Sequence, residues 1–440
     1  MKVMKFGGTS VGKPERMKHV AELVMAQEEP VLLVLSALSG TTNALVNIGE
    51  QLAEGNREKA KGMINDLKNH YDQFVKGLLI KPDAIKKAEE ILSEHFEFLN
   101  IITRISFSGA LNKDILAQGE LMSTKLFSVY LEECGVDHAL LPALEFMSID
   151  ANDEPKVEVI SARLKAVLEK TGPMKIYVTQ GYICRNARGE VDNLKRGGSD
   201  YTASLVAAAI HASVCEIWTD IDGMHNNDPR VVEGTHPVEV LSFDEAAELA
   251  YFGAKILHPA SIWPAQQYNI PVKLLNTMDP RAKGTMISSA AGSQGVKAVA
   301  AKDGIIAIKI KSSRMLLAYG FLRKVFEVFE KYRTSIDMIT TSEVAVSLTI
   351  DDVSQLDYII RELKPFGAIS VEHNQTIIAV VGQDLVKSKD LLENLFSSLN
   401  GFPVRMVSYG GSNHNVSILL PSEYKAEVLK RINKGIFKIG

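Results

Sequence analysis

The sequence predicts an α/β protein: an open, mostly parallel sheet with helices on both faces, followed by two βαββαβ modules. Three observations predict it. Continuous apolar runs such as Val31–Leu35 recur along the first 290 residues, as in strands buried on both faces. Stretches of helical period separate those runs, the alternation of a parallel sheet. Near residue 295 the rhythm changes to β-α-β-β-α-β, the split βαβ order, and that order then repeats.

Taken in order, Lys2–Phe6 is a short strand running into Gly7-Gly8-Thr9-Ser10. Pro14 opens a helix whose apolar face is Met17, Val20, Ala21 and Val24. The strand 31–35 leads through a loop, 36–42, into a helix reaching about residue 52. Residues 55–100, rich in Lys and Glu, carry Met63, Leu67, Tyr71, Phe74 and Leu78 at helical spacing and read as an excursion over the outside of the sheet. Further helices are expected over 113–133, 201–212 and 243–252, with strands over 175–179, 214–219 and 272–275.

The first C-terminal module reads as strand 304–311, helix 320–331, strands 336–340 and 345–350, helix 355–363 and strand 368–373. The second reads as strand 376–381, helix 387–398, strands 404–408 and 415–420, and helix 424–433, and it lacks a final strand. The short apolar run 296–300 has no other home, so it is expected to fill that vacancy, with the first module inserted into the second. The expected domains are therefore 1–290, 304–374, and 296–301 together with 375–440.

Composition narrows the function. With 49 Lys+Arg against 53 Asp+Glu the formal charge is −4, which offers no global attraction to nucleic acid or to an anionic membrane. No apolar stretch approaches the ~18–20 residues that span a bilayer. Lys2 and Lys5 bracket only two apolar residues, which argues against a signal peptide. Cys134, Cys184 and Cys215 have the spacing of neither a disulfide framework nor a metal site, so they suit a reducing cytoplasm and are expected to be small core hydrophobes.

Chemistry concentrates in a few places. Lys5-Phe6-Gly7-Gly8-Thr9-Ser10 puts glycines and a cation at the end of a strand, where open α/β sheets bind ligands; a solvated strand–turn–helix is the alternative. Arg196-Gly197-Gly198-Ser199-Asp200-Tyr201-Thr202 precedes an apolar helix and could bind an anion, with Asp200 either facing the ligand or capping that helix. Trp218-Thr219-Asp220-Ile221-Asp222-Gly223, followed by Asp228-Pro229-Arg230, offers carboxylates to a divalent cation or simply forms a turn. In Gly253-Ala254-Lys255-Ile256-Leu257-His258-Pro259 the lysine needs a partner, and His258 reads as a packed or capping residue. Glu120, within an apolar helical stretch, is either solvated or paired with a cationic ligand. With no Ser-His-Asp set, metal-hydrolase cluster or cysteine nucleophile, this inventory fits phosphoryl transfer, where positioning and charge neutralisation do most of the catalysis. A carboxylate acceptor, already ionised at neutral pH, needs no strong base.

The six motifs KFGGTSV (5–11), QGE (118–120), LKRGGSDYTA (194–203), WTDIDG (218–223), DPR (228–230) and FGAKILHP (252–259) stand in the order found in aspartate kinases. The resemblance covers essentially the whole chain. It is to the monofunctional, lysine-sensitive class, because 440 residues leave no room for the homoserine dehydrogenase domain of bifunctional relatives. It implies the amino-acid-kinase fold with two ACT domains, and transfer of a phosphoryl group from ATP, with Mg²⁺, to L-aspartate. Lys5 would then neutralise the transferring group, and Asp200 would orient Lys5. Gly7, Gly8, Thr9 and Ser10 would line the phosphates, and Thr219, Asp220, Arg230 and Lys255 would bind the nucleotide. Thr42, Glu120, Arg196 and Ser199 form the implied aspartate set, with Arg196 on the α-carboxylate and Glu120 on the ammonium. Direct metal ligands do not follow from the resemblance. It further implies an allosteric amino acid, lysine, bound by Met315, Gly320, Phe321, Leu322, Ser335, Ile336, Asp337, Thr341, Ser342 and Glu343, and a homodimer or dimer of dimers formed through the ACT domains.

Overall fold

The computed structural model describes residues 1–194, 197–253, 257–290, 292, 294–312 and 319–438. Along the first part run β1 (Lys2–Phe6), α1 (Gly8–Val11), α2 (Pro14–Met25), β2 (Val31–Leu35), α3 (Thr41–Ala53), α4 (Arg57–Leu78), α5 (Pro82–Ile102) and α6 (Gly109–Glu133). They are followed by β3 (Ala139–Leu141), α7 (Ala143–Phe146), α8 (Val157–Thr171), β4 (Ile176–Gln180), β5 (Ile183–Arg185), β6 (Val191–Asn193), α9 (Gly198–Ala209) and β7 (Cys215–Thr219). Then come β8 (Val240–Ser242), α10 (Phe243–Tyr251), α11 (Pro259–Gln267), β9 (Val272–Asn276) and β10 (Thr285–Ser288). The C-terminal part holds β11 (Gly295–Lys311), α12 (Phe321–Lys331), β12 (Ile339–Thr341), β13 (Ala345–Ile350), α13 (Leu356–Leu363), β14 (Ala368–Gln383), α14 (Leu391–Ser398), β15 (Met406–Ser408), β16 (Asn415–Pro421) and α15 (Lys425–Ile432). No described helix is long and apolar enough to cross a membrane.

These elements form two compact units, 1–224 with 256–290, and 225–255 with 291–440. In the first, strand order is β3-β4-β2-β1-β7-β9-β10. Every pair from β3 to β9 is parallel, and β10 closes antiparallel on β9. All residues of β2 and β4 are buried, as two-sided burial requires. The register Phe6↔Leu35 and Phe6↔Trp218 brings the carboxyl ends of β1, β2 and β7 level with one another. The ring of Phe6 stacks on that of Trp218, centroids 5.5 Å apart. The excursion expected over 55–100 is two helices, because Pro82 cannot continue α4 and instead opens α5.

The second unit contains a six-stranded antiparallel sheet in the order β12-β13-β11-β14-β16-β15. The runs expected as separate strands over 296–300 and 304–311 are one strand, β11, and likewise 368–373 and 376–381 are one strand, β14. The junctions are register irregularities around 302–307 in the pairing of these two long strands, which bend without breaking. Two apolar clusters lie along this sheet, one around Ile308, Val325, Leu348 and Ile359, the other around Val380, Leu395, Ile418 and Leu429. The strand expected at 336–340 starts only at Ile339: before it the Met338 N–H turns to the Thr349 hydroxyl, and the Asp337 side chain accepts from Tyr251 and Lys302. Cys184 and Cys215 are buried as expected, but Cys134 is exposed: it caps the C-terminal end of α6, where the chain turns to solvent.

Candidate active site

Residues at the carboxyl ends of the central strands build a cavity of about 420 Å³. Its lining includes Gly8 and Thr9 after β1, residues 36–40 with Thr42 and Asn43 after β2, Glu120 on α6, Tyr182 after β4, and Gly198 and Ser199 at the start of α9. Each comes from the end of a parallel strand or the helix beside it, the edge where such sheets take ligands.

Glu120 is only 3 % exposed, so it does not lie on a solvated face. Gly119 explains how it arrives there: a Cβ at that position would sit 2.8 Å from the Ala37 Cβ and 3.2 Å from the Thr41 Cγ2, so only glycine lets α6 press this closely on the 37–41 loop. The Ala37 N–H donates to Glu120 Oε1 at 3.3 Å, and among the described residues Oε2 has no hydrogen-bond partner. Burial pushes the Glu120 carboxyl up to about 8. A half-satisfied buried carboxylate lining a cavity calls for a cationic ligand. Behind it Gln118 accepts from His95 Nδ1 at 2.6 Å while Lys125 donates to Nε2 at 2.9 Å, which fixes a neutral imidazole that burial already favours.

Lys5 and Asp200 meet across the same edge, Nζ to Oδ1 at 2.5 Å, with the two side chains only 12 % and 16 % exposed. Helix α9 begins at Gly198, three residues before the expected start at 201. Its N-cap is Gly197, at φ +69°, where a Cβ would also lie 2.7 Å from the Ser261 side chain. Asp200 is therefore not the cap but a first-turn residue directed at Lys5. Ser36 Oγ donates to Ser199 Oγ at 2.9 Å, and Ser123 Oγ holds the Ser36 carbonyl at 2.8 Å. Thr42 lines the cavity with them.

After β1, Gly7 caps a single helical turn, α1, and Ser10 Oγ bonds Thr277 Oγ1 at 2.8 Å. Thr219 ends β7 and Asp220 follows it at the same edge, the Thr219 hydroxyl donating to Asp220 Oδ1 at 3.1 Å. Arg230 belongs to the second unit, where its guanidinium grips Asp228 at 2.8 and 2.9 Å and that pair holds the Asp228 carboxyl below the usual range. His258 Nδ1 accepts from the Ala260 N–H at 3.2 Å and so caps α11. Arg196 and Lys255 lie outside the described residues. Sequence reasoning missed Tyr182, Ser36 and Asn43; the available signal was the position of Tyr182 and Ser36 just past the ends of β4 and β2, and that of Asn43 in the first turn of the helix after β2.

In the second unit the expected effector residues differ in their exposure. Gly320, Leu322, Ser335, Thr341, Ser342 and Glu343 are exposed, Ile336 is half-buried and Phe321 packs into the apolar cluster beneath α12. The Asp337 side chain is wholly buried. Lys302 Nζ lies 2.8 Å from Asp337 Oδ1, the Tyr251 hydroxyl donates to the same oxygen at 2.7 Å, and Lys302 also pairs with Asp351 at 2.8 Å. The Lys302 ammonium stands 4.4 Å over the Tyr251 ring. Burial alone would lower the Lys302 ammonium; the bonds to Asp337 and Asp351 outweigh it and hold it up. Met315 lies outside the described residues.

Comparison with known proteins places this edge in a family. The amino acid kinase family matches residues 1–276, and an ACT domain matches 378–435. The lysine-sensitive aspartokinase 3 of Escherichia coli is 34% identical over 449 residues, covering 99% of both chains. The chloroplastic aspartokinase 3 of Arabidopsis thaliana is 35% identical over 468 residues, 99% of this chain and 81% of that protein. The crystal structure of E. coli aspartokinase III in complex with aspartate and ADP matches with a TM-score of 0.85 at 33% identity, covering 99% of this chain and 100% of that one. Its complex with lysine and aspartate matches with a TM-score of 0.81. The mostly parallel sheet, the Lys5–Asp200 pair at its carboxyl edge and this full-length similarity lead to one assignment: the chain belongs to the aspartokinases, within the amino acid kinase family.

Proposed function

We infer that the chain transfers the γ-phosphoryl group of ATP to the side-chain carboxylate of L-aspartate, giving ADP and 4-phospho-L-aspartate, the first step toward lysine, threonine, methionine and diaminopimelate. The observation that carries this reading is Glu120: a buried carboxylate with one oxygen unpartnered among the described residues, in a cavity whose wall also holds Gly8 and Thr9 of the glycine turn. A substrate with an ammonium at one end and a carboxylate at the other satisfies both.

In this reading Glu120 takes the substrate ammonium, Arg196 its α-carboxylate, and Thr42 and Ser199 bond its polar groups. Lys5 neutralises the charge that spreads over the transferring phosphoryl oxygens, and Asp200 holds Lys5 in place. Two anions must meet for the reaction to occur, so fixed cations supply most of the catalysis. The attacking carboxylate is already ionised and needs no base. Gly7, Gly8, Thr9 and Ser10 receive the phosphates, and Thr219, Asp220, Arg230 and Lys255 the rest of the nucleotide. Magnesium prefers oxygen ligands and keeps several waters. Among the described residues no three His, Cys, Asp or Glu side chains converge as a metal cage, a donor set that fits an ion carried in on the phosphates, with Asp220 available to it or to its waters.

The second unit is read as regulatory, with 304–374 as one ACT module inserted between 296–301 and 375–440 of another. The pairing of 305–311 with β13 and with 368–375, and of 295–302 with 377–383, supports that division. Lysine is the proposed effector. Its ammonium would compete for Asp337 with the Lys302 ammonium already there. The edge strand β12 and the exposed Leu322, Phe326 and Ile339 support pairing of the first module with a second copy, as a homodimer or dimer of dimers. The activity is tested by incubating the protein with ATP, Mg²⁺ and L-aspartate in hydroxylamine. Aspartyl hydroxamate formed only with all three is the expected result; ATP hydrolysis without hydroxamate would overturn the reading.

A further inference from the structure

Tyr182 occupies a backbone conformation that its side chain disfavours. It stands at φ +67° between Gly181 and Ile183, and the Ile183 N–H donates to the Gly181 carbonyl at 2.7 Å across it. A three-residue turn with positive φ at its centre is rare and strained, and more so for a bulky aromatic residue. Strain of this kind persists only where the surroundings over-determine it, and it gathers at ligand sites.

Here the surroundings do hold it. The Tyr182 N–H donates to Thr202 Oγ1 at 2.9 Å, which ties the turn to α9, and the Leu194 N–H donates to the Tyr182 carbonyl at 2.8 Å. A Cβ at Gly198 would stand 3.5 Å from the Tyr182 ring, so the ring lies against the start of the helix that carries Ser199 and Asp200. The same side chain lines the cavity with Glu120 and Ser199. Burial first, then the neighbouring Glu120 and Asp192 charges, push the phenol up to about 12.

We propose that Tyr182 is a specificity-determining residue of the aspartate site: the strained turn aims its ring at the ammonium end of the substrate, where it closes the cavity beside Glu120 and limits the length of amino acid that fits. The ring gives an ammonium an aromatic neighbour next to its carboxylate and removes water from that pair, which strengthens both contacts. A single methylene between the ammonium-bearing carbon and the reacting carboxylate fits; glutamate, one methylene longer, is pressed against the ring. The inference rests on the aspartate kinase reading above.

Two variants separate the ring from the turn. Asparagine tolerates positive φ, so Tyr182→Asn keeps the turn and loses the ring; Tyr182→Phe keeps the ring. With the full chain and the hydroxamate assay, Tyr182→Asn is expected to raise KM for aspartate roughly tenfold or more while KM for ATP and the melting temperature stay near wild type. It should also narrow the preference for aspartate over glutamate, and Tyr182→Phe should restore both. KM for aspartate unchanged in Tyr182→Asn, or both KM values raised together, overturns the proposal while leaving the activity standing. Absence of aspartate-dependent hydroxamate from the wild-type chain would instead overturn the activity itself.

Discussion

Lys5 Nζ lies 2.5 Å from Asp200 Oδ1, joining the end of strand β1 to the first turn of α9 at the carboxyl edge of the sheet. The pair is mostly shielded from water, so the carboxylate holds the ammonium at a fixed point instead of letting it sweep solvent.

Removing the ammonium should therefore act on the transition state more than on substrate binding. Lys5→Ala is expected to lower kcat by ~10²–10³-fold, about 3–4 kcal/mol, with KM for aspartate changed little. Steady-state kinetics check this. A variant with kcat near wild type and only KM raised contradicts the role.

Glu120 makes substrate binding depend on pH. With its carboxyl pushed up to about 8, the free protein holds a proton there at pH 7, and an incoming ammonium requires that proton to leave. KM for aspartate should fall as pH rises from about 6.5 to 8.5, and calorimetry in buffers of different ionisation enthalpy should show proton release on binding. Glu120→Gln should bind weakly at every pH and lose the dependence.

The same group carries a stability signature of defined sign. The unfolded chain gives up this proton near 4.5, the folded chain near 8, so between those values the unfolded state binds fewer protons and stability falls as pH rises. In Glu120→Gln the melting temperature should decline less across that window, and saturating aspartate should remove the decline in the wild type.

Lys302 already occupies the place on Asp337 that an effector ammonium needs. Lys302→Met should lower the lysine concentration for half-inhibition by about fivefold or more, read from inhibition curves at fixed aspartate. An unchanged or raised value would mean that the two ammonium groups do not compete.

The three cysteines should differ in reach. Cys134 is exposed, whereas burial pushes the Cys184 thiol up to about 12 and the Cys215 thiol higher still. A thiol reagent should titrate one group in the native protein and three after denaturation.

Much of this was legible in the chain. Buried strands such as Val31–Leu35 carry their own signal, and so do the glycine-rich ends of β1 and the start of α9, because a sheet edge needs small residues where a ligand approaches. What stayed hidden was set by tertiary contact. Helical spacing could not say whether Glu120 faces solvent; the close approach that Gly119 permits decides it. Nothing local in Tyr182 announces a positive φ, which Thr202 and Leu194 impose from elsewhere in the chain. The burial of Asp337 depends on Lys302 and on Tyr251, 86 residues away in sequence, a pairing no periodicity encodes.

One cavity is expected to bind aspartate by its ammonium at Glu120 and to turn its side-chain carboxylate toward the Lys5 edge. A crystal structure of the full chain with L-aspartate and ADP tests it most directly. The ammonium is expected within about 3.2 Å of Glu120 Oε2, with the side-chain carboxylate lying between Ser199 and the Gly7-Gly8 turn. Aspartate bound with its ammonium away from Glu120, or in a different cavity, would contradict it.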